Sequence, residues 1–379
     1  MNYSEEAALA LDKQGNIQIS AHFGNIVDHA PKTFYDSSKI PITSSFNIKM
    51  LSHLTKVTNV YLWLVAKPDY PKTIMEFAAK FHSDEICYQY LIENRWPDGF
   101  VCPKCHKKGG WWLEKYHRFE CSICHRQTTP LAGTLMHRSH LPVRLWFWAA
   151  YLVSTHTPGI SAVQLQRQLG ISKVDTAWFV LHRLRAGMVR ELREPLSGFI
   201  EADEAYVGGP TKETRGRGVV ASPNKSLIIG AVEIVTYKTK NGKIQEKAGR
   251  LRLQKIRAAS GKEIKNFLNH NVALGSTIKS DGWTGYSNDA MSGYKHLGLT
   301  QQSPQQASEL APHIHRAFSN LKAWLMGIHH GVESKYLQSY LNEFVFRFNR
   351  REYPMSAFRG LLSILVSKNP MTFGQLTKP

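Results

Sequence analysis

Two closely spaced pairs of cysteines constrain the fold of this 379-residue chain more than any other feature of its sequence. The pairs CPKC (102–105) and CSIC (121–124) are fifteen residues apart, which gives the pattern C-x2-C-x15-C-x2-C. Two knuckles of this spacing can direct four thiolates at one tetrahedral Zn2+ ion. The predicted ligands are Cys102, Cys105, Cys121 and Cys124. Because four protein ligands complete the coordination sphere, we predict a structural zinc and not a catalytic one.

The charge of the chain indicates a polyanionic partner. Its 48 Lys and Arg outnumber its 29 Asp and Glu, for a formal net charge of +19. Nearly all of this excess follows residue 74, since residues 1–74 contain 7 Lys and 6 acidic residues. A surplus of this size favours nucleic acid as the partner. Cys87 is the remaining cysteine, so a disulfide framework is excluded. No apolar run approaches the roughly 20 residues of a membrane span, and we expect a cytoplasmic protein.

Changes of pattern along the chain predict its domains. Helical periodicity precedes the cysteines and follows them, with breaks at Pro158-Gly159 and Gly170. The period then shifts to strands, with a hairpin signal at Asn241-Gly242, before helices return. The predicted division is residues 1–72, an unassigned extension; 73–138, a helix and a zinc ribbon; 139–195, a helix-turn-helix module; 196–365, a catalytic domain; and 366–379, a tail.

The segment SAVQLQRQLGISKVDTAWFVLHRLR (161–185) has the pattern of a helix-turn-helix. Gly170 suits the left-handed C-cap of a first helix, and Ser172 suits the N-cap of a second. An apolar stripe on the second helix would leave its other side for DNA. The predicted DNA contacts of this helix are Lys173, Thr176 and Arg183. Any helical hairpin can show such a pattern, and the neighbouring ribbon and basic charge favour the DNA interpretation.

Two aspartates occupy positions suited to divalent metal ions. Asp203 lies in the predicted strand FIEADEAYVGG (199–209), and Asp281 ends the predicted strand STIKSD (276–281). On adjacent strands such carboxylates can hold a pair of hard cations, which polarise a phosphate and activate a water or hydroxyl for attack. Strand alternation puts Glu201 on the face of Asp203 and Glu204 on the opposite face. Two aspartates at strand ends are weak evidence for a metal site by themselves, and the other motifs of the chain strengthen this interpretation.

Six motifs together resemble the DDE-type transposases of bacterial insertion sequences, in the subgroup with an N-terminal zinc ribbon. They are RWPDGFVCPKC (95–105), CSICHRQTTPLAGTLMH (121–137), LQRQLGISKVDTAWFVLHRLR (165–185), EADEAYVGG (201–209), SDGWTGY (280–286) and FSNLKAWLMGIHHGVESKYLQSYLNEFVFRFNRR (318–351). The resemblance covers about residues 73–365. It implies an α/β catalytic domain with a ribonuclease-H-like mixed sheet flanked by helices, preceded by the zinc ribbon and the helix-turn-helix module.

The same resemblance implies the activity and its metal site. It implies a transposase that depends on Mg2+ or Mn2+ and that cuts and joins DNA at the terminal inverted repeats of its element. Asp203 and Asp281 match the first two catalytic, metal-binding positions of the family. Water would first release a 3′-hydroxyl, which would then attack target DNA. Paired ends imply at least a dimer on the DNA, and hence association with the bacterial nucleoid.

The third catalytic position departs from the family pattern of a glutamate followed seven residues later by Lys or Arg. Here His315 lies 34 residues beyond Asp281, and Lys322 follows seven residues later. Seven helical steps total about 700°, so His315 and Lys322 share a helix face. Asn320 is the alternative, because this subgroup is known to carry an asparagine and an amide oxygen suits Mg2+ better than an imidazole. Asn320 lies about 140° around the helix from His315; we favour His315 and keep both.

Two further predictions concern DNA and the competing function. The glycine-rich loop 208–226 is basic, and we expect Arg215 and Arg217 to contact DNA there, with Lys322 at a phosphate. The alternative hypothesis is a catalytically inactive DNA-binding regulator derived from such a transposase. The residue at position 315 or 320 is the feature that separates these two interpretations.

Overall fold

The computed structural model describes residues 10–11, 17–18, 70–189, 193–208, 225–298 and 311–377. The chain divides into two compact units, Met1–Asp69 and Tyr70–Pro379. In the first unit, strands β1 (Ala10–Leu11) and β2 (Ile17–Gln18) form an antiparallel pair. The zinc ribbon, the five-stranded sheet and the helices among the described residues belong to the second unit.

Helices make up much of the second unit. They are α1 (Ile74–Lys80), α2 (Asp84–Arg95), α3 (Val143–Thr155), α4 (Ala162–Leu169), α5 (Val174–Gly187), α6 (Gly261–Asn271), α7 (Pro312–His329), α8 (Leu337–Phe348), α9 (Pro354–Ser367) and α10 (Phe373–Thr377). The single helix expected ahead of the cysteines is two helices, because α1 ends at Phe81 and the Ser83 hydroxyl caps α2. Within the described residues no helix has the length and apolarity to cross a membrane.

The strands form a small sheet and a large one. The small antiparallel sheet contains β3 (Gly110–Leu113), β4 (Arg118–Cys121) and β5 (Gln127–Thr128). The large sheet contains β6 (Phe199–Gly208), β7 (Lys225–Lys238), β8 (Ile244–Ile256), β9 (Thr277–Ser280) and β10 (Lys295–Gly298), in the order β10-β9-β6-β7-β8. β6, β7 and β8 pair antiparallel, whereas β9 is parallel to β6 and to β10. The sheet is therefore mixed, as predicted.

Side-chain alternation gives the large sheet two apolar faces. Ile200 and Ala202 of β6 pack with α6 on one face. Val207 of β6 packs with α7 and α8 on the other face. The predicted Asn241-Gly242 turn connects β7 to β8, with Gly242 at a φ of 77°. Both faces of the sheet are thus covered by helices.

Side-chain amides of the helical layer close the outer edge of β8. Asn349 accepts the Leu251 N–H at 2.7 Å and donates to the Leu251 carbonyl at 3.1 Å. Gln338 on α8 accepts the Lys255 N–H at 2.9 Å. These amides satisfy backbone groups that an edge strand otherwise leaves open.

A separate helical core joins both ends of the second unit. Helices α1, α2, α3, α5 and α9 supply most of its buried side chains, and α4 and α8 add Leu165 and Phe346. The Phe77 ring stacks on Tyr151 with centroids 4.3 Å apart and meets the edge of Phe358 at 5.2 Å. Helix α9 falls within the catalytic domain predicted from the sequence, yet it packs in this helical core because its apolar face contacts α3.

Helices α4 and α5 form a hairpin where the helix-turn-helix module was predicted. Gly170 adopts the left-handed C-cap with a φ of 64°. The N-cap of α5 is Lys173 and not Ser172, because the extended backbone continues one residue further. Arg183 is 8% exposed; it donates to the His137 carbonyl at 2.9 Å, and its guanidinium lies 4.5 Å from the Phe179 ring centroid. Arg183 therefore does not lie on an exposed helix face as expected, and its contact with DNA stays a prediction.

Helix α5, which carries Arg183, lies between two groups of helices. α5 contacts α3, α4 and α9 in the helical core and α8 in the layer above the large sheet. A helix that is covered on several sides has no free polar face, so the assumption of one apolar stripe fails here.

A buried ion pair joins α5 to α8. Arg185 Nε donates to Glu343 Oε2 at 2.7 Å, and the two side chains are 1% and 0% exposed. The Arg185 guanidinium also lies 3.9 Å from the Tyr340 ring centroid, and Arg347 approaches the other Glu343 oxygen at 3.7 Å. The stability of charged side chains that are buried away from water depends strongly on such partners. This contact holds the helical core against the α8 layer.

Removing Glu343 leaves Arg185 charged and buried without its carboxylate. We expect Glu343→Ala to lower the free energy of unfolding by about 3–5 kcal/mol, measured by urea denaturation. The matched control is Glu352→Ala, which breaks the exposed Lys247–Glu352 pair and should cost less than about 1 kcal/mol. Equal effects of the two substitutions would contradict a structural role for the buried pair.

Two buried histidines beside this ion pair make stability depend on pH. Burial, with a smaller effect of Arg185, lowers the pKa of His182 from 6.5 to about 2 and that of His329 from 6.5 to about 3. Below pH 6.5 the unfolded chain therefore binds protons that the folded chain does not. Stability is fully present above pH 6.5 and is lost as the pH falls toward these folded-state pKa values.

We expect the free energy of unfolding to fall by about 1.4 kcal/mol per pH unit for each histidine as the pH drops below 6.5. His182→Phe keeps the ring that stacks on Trp178 at 3.8 Å and should remove one of the two contributions to this slope. Urea denaturation between pH 6.5 and pH 4 measures the slope, with the exposed His140→Gln as control. An unchanged slope in His182→Phe would refute the assignment.

Candidate active site and zinc centre

The four cysteines converge on one point, as the sequence predicts for a zinc site. Their sulfur atoms all lie within 4.8 Å of one another. Cys102 and Cys124 have sulfurs 3.6 Å apart, as do Cys105 and Cys121. Among the residues that the structure describes, this set alone brings three or more thiol, imidazole or carboxylate ligand atoms so close together. Four soft thiolate donors at these distances fit a tetrahedral Zn2+ ion.

The two knuckles have matching backbone geometry. The Lys104 N–H donates to Cys102 Sγ and the Ile123 N–H to Cys121 Sγ, each at 3.4 Å. His106 and His125, which follow the second cysteine of each knuckle, adopt left-handed φ values of 57° and 51°. Backbone donors, that of Cys105 first, lower the pKa of Cys102 to about 6. The thiolate form that binds metal is thereby favoured at Cys102, whereas the pKa of Cys105 beside it is raised to about 11.

Aromatic side chains pack beside the cysteines of the ribbon and also lie exposed on its surface. Phe100 and Phe119 stack with centroids 4.6 Å apart beside the cysteines. His117 stacks on Tyr88 of α2 at 4.6 Å, which is a packing contact and not a metal ligand. Other side chains remain on the surface, notably Trp111 and Tyr116, which are 47% and 54% exposed.

The pairing of β6 with β9 aligns the two aspartates. Glu201 pairs with Lys279 in parallel register, and continuing that register by two residues brings Asp281 opposite Asp203. Neighbouring strands lie about 4.8 Å apart, and aligned residues point to the same face. The side chain of Asp203 is 13% exposed. Asp203 therefore lies on the sheet face that α7 covers, and Asp281 follows the last residue of β9 directly.

A buried tyrosine lies close to both aspartates and to Glu204. The Tyr286 hydroxyl donates to Glu204 Oε1 at 2.6 Å. Burial, followed by the negative charges of Glu204, Asp203 and Asp281, raises the pKa of Tyr286 well above its usual value. Tyr286 is therefore a neutral donor. Glu204 points to the α6 side of β6, opposite Asp203, as strand alternation predicts.

Helix α7 places His315 at the aspartate pair. His315 Nε2 lies 3.6 Å from Asp203 Oδ2, and the histidine side chain is 33% exposed. Lys322 lines a cavity of about 630 Å3 together with Tyr206 and Gly208 at the end of β6. Asn320 lines a different cavity, of about 490 Å3, with residues of α3 and α8. The structure thus brings His315 to Asp203 and directs Asn320 elsewhere.

Glu201 has a contact that the sequence did not reveal. This side chain is 2% exposed, and its Oε2 accepts the backbone N–H groups of His313 at 2.8 Å and Ile314 at 3.0 Å. Both donors belong to the first turn of α7, which begins at Pro312. Strand alternation predicted only that Glu201 shares a face with Asp203; its acceptor role depends on a helix more than a hundred residues later in the chain.

The residues that were predicted to contact DNA differ in their exposure to solvent. Lys173 and Thr176 lie at the start of α5, with Lys173 exposed and Thr176 half-buried. Arg183 is buried, as described above. Arg215 and Arg217 lie outside the described residues, so their role stays a prediction.

The donor atoms at the aspartate pair fit divalent cations. Carboxylate oxygens suit Mg2+ and Mn2+, whereas an imidazole is more usual with transition-metal ions. The ligand atoms of Asp203, Asp281 and His315 do not all lie within 4.8 Å of one another. Ligands of two ions about 3.5–4 Å apart surround a larger volume than those of one ion.

Removing a thiolate should release the zinc and unfold the ribbon. We expect the full-length protein to hold a single zinc ion, and Cys121→Ala to lose it together with the near-ultraviolet circular dichroism of the packed aromatic rings. Mass spectrometry for metals measures the content. Cys87→Ala is the control, because Cys87 is buried in the helical core and burial raises its pKa to about 12. Zinc retained in Cys121→Ala would contradict the four-cysteine site.

Comparison with known proteins agrees with this arrangement of domains. Residues 82–127 match the family of transposase zinc-ribbon domains, and residues 195–349 match the ISXO2-like transposase domain. An uncharacterized protein in transposable element ISH50 of Halobacterium salinarum is 27% identical over 168 residues, 39% of this chain. The matched region spans 55% of that relative, about half of its length. The chain therefore carries a transposase zinc ribbon followed by a DDE transposase domain of the IS1595 type, and its resemblance to the zinc-ribbon transposases of insertion sequences is confirmed.

Proposed function

We propose that the protein is the transposase of an insertion sequence, which cleaves DNA at the terminal inverted repeats and joins the released 3′ ends to target DNA. The observation that carries this proposal is the parallel pairing of β6 with β9 up to Glu201 and Lys279, two residues before Asp203 and Asp281, with His315 Nε2 3.6 Å from Asp203. The strand order supports a ribonuclease-H-like fold, since three antiparallel strands are followed by two that are parallel to the first.

The residues of the site have separate tasks in this proposal. Asp203 and Asp281 hold divalent ions, Mg2+ or Mn2+, with His315 as the third ligand. Such ions polarise the scissile phosphate and lower the pKa of a bound water or hydroxyl. Lys322 lies about 10 Å from His315 along α7, where its ammonium can contact a phosphate that flanks the scissile one. No covalent intermediate on the protein is required.

Binding of the DNA ends is assigned to the ribbon and to the start of α5. Exposed Trp111 and Tyr116 offer surfaces for stacking, and Lys115 beside them offers a cation. Lys173 is exposed at the N-terminus of α5. The positive charge of the chain supports contact with the phosphate backbone along this route. Because transposition joins paired ends, we propose that the protein acts as at least a dimer on DNA, at the bacterial nucleoid.

Cleavage of a labelled DNA that carries the inverted repeats flanking the gene tests this proposal. In Mg2+ or Mn2+, Asp281→Ala should lower the cleavage rate by about 1000-fold or more, equal to about 4 kcal/mol of barrier. His315→Ala should cause a comparable loss, whereas His315→Glu, which supplies a carboxylate, should retain cleavage. Joined products on a gel distinguish strand transfer from hydrolysis alone.

Asn320→Ala is the matched control for the third ligand, because Asn320 lies on the same helix but lines another cavity. We expect its rate to stay within about threefold of the original, a change below 1 kcal/mol. Loss of cleavage in Asn320→Ala with retention in His315→Ala would make Asn320 the third ligand. An unmodified protein that binds the repeats and cleaves nothing would favour the inactive regulator.

A further inference from the structure

A buried carboxylate from the central strand caps the helix that carries His315. Glu201 Oε2 accepts two N–H groups from the first turn of α7, those of His313 and Ile314. The first residue of the helix, Pro312, has no N–H, and the N-cap residue Ala311 has no side chain that can accept one. A helix begins with N–H groups that lack partners within the helix. Glu201 supplies the acceptor that the local sequence of α7 does not.

The spacing of these contacts links the cap to the candidate active site. Glu201 and Asp203 lie two residues apart on one face of β6, about 6.6 Å along the strand. Their contacts on α7, Ile314 and His315, are consecutive residues. The carboxylate therefore determines both where α7 begins and which way it is rotated. A shift of α7 by one residue would turn His315 by about 100° away from Asp203.

We propose that Glu201 is a positioning residue, which fixes the start and rotation of α7 so that His315 reaches the aspartate pair. This inference rests on the proposed function for its catalytic consequence, but its structural part is independent of activity. The competing role is that of a metal ligand, since Glu201 is an acid on the face of Asp203 in a chain without a glutamate at position 315. The two contacts of Glu201 Oε2 with backbone donors and its 2% exposure favour positioning.

Hydrogen exchange of the full-length, metal-free protein tests the structural part. In Glu201→Ala the amides of residues 313 and 314 lose their acceptor, so a peptide spanning 312–318 should exchange at least about tenfold faster. Glu201→Gln keeps an oxygen that can accept these N–H groups and should exchange more slowly than Glu201→Ala. Glu263→Gln, in the first turn of α6, is the control and should leave this peptide unchanged. Equal exchange in the original protein and Glu201→Ala would overturn the proposal.

A double-mutant cycle tests the catalytic part. If Glu201 acts through His315, Glu201→Ala should lower the cleavage rate by about 100-fold, as a misplaced catalytic group does. In a His315→Ala background, the same change should cost less than about threefold, because there is no imidazole left to position. Glu201→Gln should recover much of the rate at an unchanged half-saturating Mn2+ concentration.

A metal ligand would behave differently in each of these measurements. Its loss would multiply with that of His315, Glu201→Gln would be as slow as Glu201→Ala, and the half-saturating Mn2+ concentration would rise. Any of these results would overturn the positioning role. If the unmodified protein cleaves no DNA, the proposed function fails, whereas the hydrogen-exchange result still decides whether Glu201 holds α7.

Discussion

The parallel pairing of β6 with β9 is the constraint on which the candidate active site depends. Ile200 and Ile278 pair in this register, and both are fully buried against α6. A slip of one residue would carry Ile278 to the opposite face and would displace Asp281, which follows β9 directly. Because burying one such side chain contributes about 1.5–3 kcal/mol, apolar packing on one face of the sheet fixes the position of two charged groups on the other. The polar site needs no attraction between its own members in order to form.

Apolar packing and polar contacts together determine the position of His315 on α7. Helix α7 lies on the sheet through buried side chains such as Ile314 and Phe318, which contact the face that includes Val207. Packing of this kind tolerates some sliding and rotation, whereas two hydrogen bonds to one carboxylate oxygen do not. Glu201 therefore determines the orientation of α7 on the sheet, and the apolar cluster contributes most of the stability of the contact between them. The ion pair between Arg185 and Glu343 has a similar directional role between α5 and α8.

Features with a local signature could be predicted from the sequence. The cysteine knuckles, the Gly170 cap and the Asn241-Gly242 turn depend on neighbouring residues alone, and the structure has all of them. Helical periodicity likewise separated His315 from Asn320. The features that the sequence did not reveal are contacts between distant segments. The burial of Arg183 involves the His137 carbonyl 46 positions earlier, and the role of Glu201 depends on a partner 112 positions later. Neither contact can be predicted from the hydrophobic periodicity of a single segment.

The closed edge of β8 limits how copies of this protein can associate. A strand from another copy would need the N–H and carbonyl of Leu251 and the N–H of Lys255, which the amides of Asn349 and Gln338 already occupy. Side-chain amides imitate a neighbouring strand at these positions without offering a further edge of their own. This part of β8 is therefore closed to another strand, and in the proposed dimer on DNA the two copies would be held together by other surfaces or by the DNA itself.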